Sequence, residues 1–497
     1  MVNFEQKNSG NYRMFSFFKK ISFRIALVST MGGMLCGYMT AIMAGVLPIV
    51  RDEWALSSAQ QEWIMAIALL GAVGGAFASN RLSVPWGHKN LLLLAAFLYI
   101  TGILCCIFSH DIISLILSRA ITGTAIGLSS YTLPQYGGEI APVRNQSIFI
   151  GLHQLMITIG ILISYLTALL LVSYSHHWHW MFLTGLIPAF LLAAGVMMLP
   201  KTPKYLIQKG RFLQARSVLA KIESPEKVEM IMDILRHQAE SEKHYQSRWR
   251  DIFSSGILKI LLVSIALMFV QQACGINIFI YYAPVLYEIA GFQSLEPELA
   301  ASVILGTVNV IFTIVALNLV EQMSRKTLYV IGLTLMTLFL FALGIIFMNY
   351  VKAGPALKWM VFASSLGFVM FFAVSIGPLS WLMASEILPL NIRNVGMGLS
   401  LTCNWIFNFL VVFTFYKISK VFSLPGNEFI IQQGNKGIID IFFNPSINFF
   451  LYGLICLGAL VWGYFFLPET KGMSYFEIED YWNKKFGRKS QKTFIYT

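Results

Sequence analysis

The sequence of 497 residues is 57% hydrophobic and only 12% charged, and its formal net charge is +12. Soluble chains usually carry about 25% charged residues, so the composition excludes an ordinary cytosolic enzyme. The basic residues do not alternate with aromatic residues as in a folded basic face, which excludes a typical nucleic-acid-binding protein.

Long apolar runs recur from residue 25 to residue 467 with few charges inside them. A bilayer core about 30 Å thick needs roughly 20 apolar residues per helix, and continuous runs of this kind predict helices rather than a β-barrel. The first run is too long for a typical signal peptide and has no small-residue cleavage pattern, so we interpret it as a retained helix. The predicted spans are 25–48, 62–80, 90–108, 112–133, 148–172, 179–199, 258–286, 300–320, 327–349, 358–383, 395–418 and 449–467.

The sequence therefore predicts an all-α membrane protein of two six-helix bundles, separated by the charged stretch from Lys201 to Ser255. This stretch has helical periodicity and predicts an intracellular domain of short amphipathic helices. Lys and Arg are frequent there, before the first span and after the last, which places all three segments in the cytoplasm. The predicted domains are an N-terminus (1–24), a first bundle (25–200), a linker domain (201–257), a second bundle (258–468) and a C-terminal tail (469–497).

Charged segments recur at matching places in the two halves. Arg81 to Lys89 is matched by Glu321 to Lys326, and Glu139 to Pro142 is matched by Glu386 to Pro389. Such repetition predicts a duplicated transporter fold. The turn-rich stretch 417–447 is expected to be an extracellular loop, and we assign it no function. The six cysteines lie inside apolar runs without metal-ligand spacing, so no disulfide framework, metal or cofactor is expected.

The seventh span holds the richest group of polar side chains, Gln271, Gln272 and Asn277. An unpaired amide is costly in hydrocarbon, so such groups need a partner or a hydrated cavity. Amides offer donors and acceptors to hydroxyl groups, and the following Tyr281 and Tyr282 offer rings that pack on a pyranose. The cluster therefore predicts a site for a neutral polyol, and the alternative is that the amides only join helices.

Further polar or aromatic positions are candidates for the same cavity. They are Gln154 in the fifth span, Trp381 in the tenth, Asn404, Trp405 and Asn408 in the eleventh and, as weaker candidates, Asn309 and Thr313 in the eighth. The sequence offers no carboxylate pair, Ser–His–Asp set or phosphate-binding glycine loop, so an enzymatic site is not predicted.

At these residues the chain resembles the sugar porter family of the major facilitator superfamily, which includes bacterial xylose–proton symporters and mammalian facilitative glucose transporters. The resemblance covers nearly the whole chain. The motifs that carry it are Gly32 to Gly45, Arg119–x3–Gly123–x3–Gly127, Pro134 to Pro142, Gln154 with Gly160, Trp178 to Phe182, Pro200 to Leu206, Gln271 to Asn277, Ser324 to Lys326, Gly377 to Arg393, Asn404–Trp405 and Pro468 to Gly472.

The resemblance implies a monosaccharide carrier that works by alternating access around a central site. The sugar-contact positions that it implies are Gln154, Gln271, Gln272, Asn277, Asn309, Trp381 and Asn404. It also implies gates in the seventh and tenth spans at Tyr281, Tyr282 and Pro378, and a charged cytoplasmic gate formed by Glu139, Arg144, Lys326, Glu386, Arg393 and Glu469.

One departure from the family bears on proton coupling. Proton-coupled members have an aspartate in the first helix, near the fourth-helix arginine; here Met39 takes that position while Arg119 remains. A thioether cannot carry a proton, so we predict facilitated uniport, with sugar–proton symport as the alternative. His153 is the other titratable candidate for proton coupling, and it is otherwise interpreted as a helix-surface or hydrogen-bonded core histidine.

The cytoplasmic motifs are also eroded, since VPWGHK (84–89) replaces a more basic segment and Gln146 replaces an arginine. Fewer ion pairs predict a weaker lock on the outward-open state. A non-transporting sugar sensor is a remote alternative because only a short tail follows Gly472. We expect a monomer in a bacterial inner membrane, with a sugar, the lipid bilayer and possible protons as partners; the sequence does not identify the sugar.

Overall fold

A computed structural model describes residues 22–140, 146–173, 178–244, 255–349, 356–389, 392–421, 444–473 and 475–486. The regular secondary structure of these residues is helical, and twelve helical spans among them are long and apolar enough to cross a membrane. The predicted all-α fold with twelve membrane helices is confirmed. Arg144 and residues 422–443 of the predicted 417–447 loop lie outside the described residues.

The first half contains spans 1 to 6. Span 1 is α1 (Ser22–Ala41) with α2 (Met43–Trp54), spans 2 to 5 are α3 (Ser58–Trp86), α4 (His88–Ile107), α5 (Ile112–Ile140) and α6 (Gln146–Val172), and span 6 is α7 (Trp178–Leu183) with α8 (Leu186–Met198).

The second half follows a linker of three shorter helices. The linker helices are α9 (Pro203–Gln208), α10 (Phe212–Leu219) and α11 (Pro225–His244). Span 7 is α12 (Ser255–Ala273), α13 (Ile276–Tyr281) and α14 (Ala283–Ile289); spans 8 and 9 are α15 (Leu295–Gln322) and α16 (Arg325–Met348); span 10 is α17 (Leu357–Val374) with α18 (Ile376–Ile387); spans 11 and 12 are α19 (Arg393–Val421) and α20 (Ser446–Phe466); and α21 (Tyr475–Phe486) follows.

The packing of the spans repeats between the two halves. In the first half, span 1 packs on span 5, span 2 on span 4, and span 3 on spans 4 and 6. The second half has the corresponding pairs 7 with 11, 8 with 10, and 9 with 10 and 12. The halves meet mainly where span 2 packs on span 11 and span 5 on span 8, and these two contacts are themselves related by the repeat. The fold is therefore a pseudo-symmetric pair of six-helix bundles.

The connections alternate between two ends of the molecule. We call the end with the linker helices and the 2–3, 4–5, 8–9 and 10–11 connections the linker end, and the opposite end the far end. Buried apolar residues of α9 to α11, such as Leu206, Leu219 and Met232, form a small separate core at the linker end.

Span 7 is interrupted twice, where the sequence predicts one helix over 258–286. Gly275 has φ +86°, a left-handed conformation that favours glycine, and the ring of Tyr452 lies where a Cβ would be. A second break falls between Tyr282 and Pro284, whose ring nitrogen cannot donate a helical hydrogen bond. Span 10 is interrupted at Ser375, whose hydroxyl donates to Phe371 O (2.6 Å). These interruptions place backbone and side-chain polar groups inside the helix bundle.

Span 1 is longer than the predicted 25–48, because α2 continues to Trp54. The extension carries Arg51 into a buried position, where the side chain has an acidic partner in the other half of the protein.

Candidate functional site

Gln271 and Gln272 lie near the end of α12, and Asn277 lies in the first turn of α13, on the other side of the Gly275 break. Their exposed fractions are 3%, 9% and 5%. The break means that they are not on one face of a continuous helix, as their spacing predicts. Hydrogen bonds join them instead.

The amide side chains of Gln271, Gln272, Asn277 and Asn404 form one hydrogen-bonded cluster, which we call the amide network. Gln271 Nε2 donates to Gly377 O in span 10 (2.7 Å), and Gln271 Oε1 accepts from Asn404 Nδ2 in span 11 (2.8 Å). Gln272 Nε2 donates to Asn404 Oδ1 (2.9 Å), and Gln272 Oε1 accepts from Asn277 Nδ2. The network therefore links spans 7, 10 and 11.

The amide network keeps unused hydrogen-bonding capacity. Each amide has two N–H donors and an oxygen with two lone pairs, and the bonds described above use only part of them. The cluster is uncharged, buried and oriented by its own bonds. Chemically, it can exchange hydrogen bonds with a neutral molecule that has several hydroxyl groups.

The network does not extend, among the described residues, to the remaining candidates. Trp381 lies in α18, one turn beyond the accepting Gly377, and is half-buried. Asn309 in span 8 is 4% exposed and Gln154 in span 5 is half-buried. These two spans form one of the two main contacts between the halves. The structure thus places these residues on the spans around the network without joining them to it.

Tyr281 and Tyr282 lie at the second break of span 7. Tyr281 Oη accepts a hydrogen bond from Asn408 Nδ2 in span 11 (3.3 Å). Tyr282 stacks on Phe415 of the same span, with ring centroids 5.2 Å apart. Tyr165 Oη in span 5 donates to Ile280 O (2.7 Å), so this part of span 7 also contacts the first half. Pro378 is buried in span 10, next to the carbonyl that accepts from Gln271.

The charged residues predicted as a gate lie at the linker end, and their bonds stay within one half. Glu139 Oε1 lies 3.5 Å from His88 Nε2 in the first half. In the second half, Glu386 Oε1 lies 3.5 Å from Arg325 Nη2, and Glu386 Oε2 accepts from Thr470 Oγ1 (2.5 Å). Arg393 Nη2 donates to Leu388 O (3.4 Å).

Glu469 caps the N-terminus of α16 and does not form an ion pair with Lys326, whose ammonium lies 5.3 Å from the Tyr464 ring centroid. The Glu469 carboxylate accepts from the Ser324 hydroxyl and from the backbone N–H groups of Arg325 (3.0 Å) and Lys326 (3.1 Å). Partial burial raises the pKa of Glu469, but these hydrogen bonds outweigh it, and the pKa is lowered below 4.5.

Arg119 in span 4 is buried, with 2% of its surface exposed, and its Nη1 donates to the backbone carbonyl of Met39 (2.7 Å). Among the described residues, no carboxylate lies within 4.0 Å of its guanidinium. The residue at the family's aspartate position thus contacts the arginine through its backbone rather than through an acidic side chain.

His153 in span 5 is 6% exposed and packs against Gly33 in span 1. Neither ring nitrogen has a hydrogen-bond partner in the described part of the chain. His153 is therefore neither a surface histidine nor a hydrogen-bonded core histidine, the two structural roles considered from the sequence.

Two ion pairs between the halves at the far end were missed from the sequence. Arg51 in span 1 contacts Glu288 in span 7 through Nη1–Oε2 (2.9 Å) and Nη2–Oε1 (3.3 Å). Lys417 in span 11 lies 3.7 Å from the buried Glu62 in span 2. Charged residues at the ends of apolar runs were the available signal, but the sequence does not indicate which ends meet.

A family model described as "Sugar (and other) transporter" matches residues 25–482. The galactose-proton symporter of Escherichia coli strain K12 is 33% identical over 464 residues, covering 93% of this chain and 94% of the relative. The D-xylose transporter of Levilactobacillus brevis is 31% identical over 451 residues, covering 90% and 93%.

The fold is also found among solved structures. A proton:xylose symporter of the major facilitator superfamily, bound to 6-bromo-6-deoxy-D-glucose, matches with a TM-score of 0.77 and 26% identity, covering 93% of this chain and 98% of that chain. The match to the family model spans nearly all of the described helices, and the relatives are membrane transporters rather than enzymes. The chain is therefore an integral multi-pass membrane protein and belongs to the sugar porter family of the major facilitator superfamily.

Proposed function

We propose that this protein carries a monosaccharide across the membrane by alternating access and that the amide network is the centre of its sugar site. The main support is the geometry of the network, in which uncharged amides from spans 7 and 11 converge with a free-ended carbonyl of span 10 at a buried position. Relatives named for galactose, xylose and arabinose add support, since all three are neutral aldoses. The particular sugar stays open.

In this proposal, sugar hydroxyl groups replace some of the bonds between Gln271, Gln272 and Asn404. Gln154, Asn309 and Trp381 complete the site from spans 5, 8 and 10. Each exchanged hydrogen bond contributes about 1 kcal/mol net, so several of them with ring packing give roughly micromolar to millimolar affinity. Because the exchanged bonds join spans 7, 10 and 11, binding changes the contacts of the interrupted spans.

Those interrupted spans are the proposed gates. Tyr281 and Tyr282 follow the network directly in span 7, and Pro378 follows Gly377 in span 10. The charged residues at the linker end, including Glu139, Glu386, Arg393 and Glu469, stabilise the ends of spans within each half while the halves move. The predicted part of Arg144 in this gate stays a prediction.

We propose further that transport is uncoupled from protons. The support is the contact of Arg119 with the Met39 carbonyl, which leaves this position without a carboxylate that could bind a proton. Symport is the second candidate, because several relatives are named proton symporters and because the buried His153 has unpartnered ring nitrogens. We place the termini and the linker in the cytoplasm and expect a monomer in a bacterial inner membrane.

Transport assays in proteoliposomes test the site. Gln271→Ala and Gln272→Ala should each weaken sugar binding by about tenfold or more without lowering the yield of folded protein. Gln61→Ala is a matched control, because Gln61 is a buried glutamine that donates to Leu56 O away from the network. Unchanged affinity in both network variants would show that the amides only join helices.

A second assay separates uniport from symport. A membrane potential of 100 mV provides about 2.3 kcal/mol per charge, which would support nearly 50-fold accumulation of a sugar carried with one proton. Uncoupled transport ends at equal concentrations on both sides. Uphill uptake driven by an imposed proton gradient would rule out uniport and, if it is lost in His153→Gln, would assign the proton to that residue.

A further inference from the structure

A cleft at the linker end lies outside the sugar site and the gates. It encloses about 160 Å³, with its mouth open to solvent, between the end of span 2, the start of span 3 and the first linker helix, α9. Trp86, His88, Lys89, Asn90, Lys201 and Tyr205 form most of its wall. We call it the basic cleft.

The charge of the basic cleft is not neutralised by its own wall. Its eight lining residues include Lys89 and Lys201 and no Asp or Glu. Among the described residues, Lys201 has no carboxylate within 4.0 Å, and its Nζ lies 5.5 Å from the Tyr205 ring centroid. Two ammonium groups that share a small cleft repel each other, and an anion between them removes this repulsion.

Lys89 has one N–H donor to spare. Its Nζ donates to Met197 O (3.0 Å) and Leu199 O (2.5 Å), at the end of span 6. An ammonium group has three donors, so the third remains for a ligand. The two carbonyl bonds also fix the position of the charge, which makes the site rigid on this side.

His88 supplies a second available polar group. The residue is 8% exposed, and its Nδ1 has no hydrogen-bond partner within the described part of the chain. Its other ring nitrogen faces Glu139 at 3.5 Å, so the carboxylate lies behind the imidazole and does not line the cleft. A buried, unpartnered ring nitrogen in a basic cleft is accounted for by an acceptor atom of a ligand.

The start of α4 forms the floor of the cleft. This helix of 20 residues begins at His88 after Gly87, and no side chain caps its first N–H groups. The N-terminus of a helix carries a partial positive charge and free N–H donors, which favour a tetrahedral oxyanion. Together with the two lysines and His88, these donors converge on a volume that suits a phosphate group better than a planar carboxylate.

The location of the cleft indicates where such a group comes from. Span 3 begins at the cleft, and Trp86 is 46% exposed at its edge, with Met197 and Met198 also exposed nearby. Tryptophan is typical of the depth at which an apolar span meets lipid headgroups. We propose that the basic cleft binds a phosphate group, carried either by an anionic phospholipid or by a free phosphate ester.

Native mass spectrometry of the full-length, detergent-solubilised protein tests this proposal. The probes are phosphatidylglycerol, phosphatidylcholine and glycerol 3-phosphate, and the quantity measured is the dissociation constant of the first bound molecule. We expect saturable binding of phosphatidylglycerol, with phosphatidylcholine at least tenfold weaker. Displacement of the lipid by millimolar glycerol 3-phosphate would show that a free phosphate ester occupies the cleft; no displacement would assign the cleft to the lipid headgroup.

Substitutions at the cleft then distinguish a site from a basic surface. Lys201→Gln should weaken phosphatidylglycerol binding about fivefold, the loss expected for one lysine near an anionic lipid. Lys209→Gln is the matched control, because Lys209 is exposed, follows α9 and does not line the cleft. Lys201→Arg keeps the charge and should keep the binding.

Equal weakening in Lys201→Gln and Lys209→Gln would overturn the proposal, since it would show attraction to the general basic surface. Wild-type binding in Lys201→Gln, or equal affinity for phosphatidylcholine and phosphatidylglycerol, would overturn it as well. Sugar transport is not needed for any of these readouts, so they stand apart from the proposed function.

Discussion

The Arg51–Glu288 ion pair allows a quantitative prediction about the movement between the halves. It joins span 1 to span 7 through two contacts, and the exposed fractions of the two side chains are 7% and 24%. Removing one partner of a fully buried ion pair costs about 3–5 kcal/mol. Glu288 is partly exposed, and Asp52 remains 2.9 Å from Arg51, so we expect Glu288→Gln to cost about 1–3 kcal/mol.

This cost falls on one conformation. Arg51 and Glu288 belong to different halves, and separation of the halves at the far end breaks the pair in the wild-type protein as well. The substitution therefore destabilises only the conformation in which the far ends meet. A change of about 1–3 kcal/mol shifts the equilibrium about 5- to 150-fold toward separation of the far ends.

Distances between spin labels measure this shift. Ala59 in span 2 and Gln293 before span 8 are exposed far-end positions on opposite halves, and cysteines there can be labelled after replacement of the native cysteines. Glu288→Gln should increase the population with the longer label distance. Asp52→Asn is the control, because Asp52 lies on the same span as Arg51. A distance distribution that is identical in Glu288→Gln and the parent protein would refute a role of the pair in holding the far ends together.

Three further predictions concern single residues. Met39→Asp should place a carboxylate beside the otherwise carboxylate-free Arg119 and make sugar uptake respond to an imposed proton gradient; uptake that stays independent of the gradient would contradict it. Glu469→Gln should lower thermal stability by about 0.5–2 kcal/mol at pH 7, as the loss of a helix cap does. Because the folded pKa of Glu469 is lowered, its contribution is present above pH 4.5 and is lost as the pH falls through the folded pKa, so the melting difference between variant and wild type should shrink in acid and a constant difference would exclude a charged cap. Gly275→Ala should cost about 1–3 kcal/mol from its left-handed conformation, with further cost from the Tyr452 ring, and should reduce the yield of folded protein; Gly74→Ala, where a Cβ meets open space, should not.

The spans could be predicted from sequence because the length of an apolar run is a local property set by the thickness of the bilayer. The interruption of span 7 was also indicated locally, by Gly275 and Pro284. The Arg51–Glu288 pair could not be predicted in this way, since its partners are 237 residues apart and their meeting depends on how the two halves pack. The cap formed by Glu469 was missed for a similar reason, because its carboxylate binds the start of a helix that begins 144 residues earlier.

The amide network also explains why its members were identified while their arrangement was not. The cost of burying an amide indicates that Gln271, Gln272 and Asn404 need partners, and it leaves open whether the partner is a helix or a ligand. In the structure the partners are mainly the other amides, so the network is satisfied without a ligand and yet retains donors and acceptors. A sugar that enters therefore exchanges one set of hydrogen bonds for another of similar strength, which keeps its net affinity modest. Modest affinity suits a carrier, because a sugar that bound much more tightly in one conformation would stabilise that conformation and slow its own release.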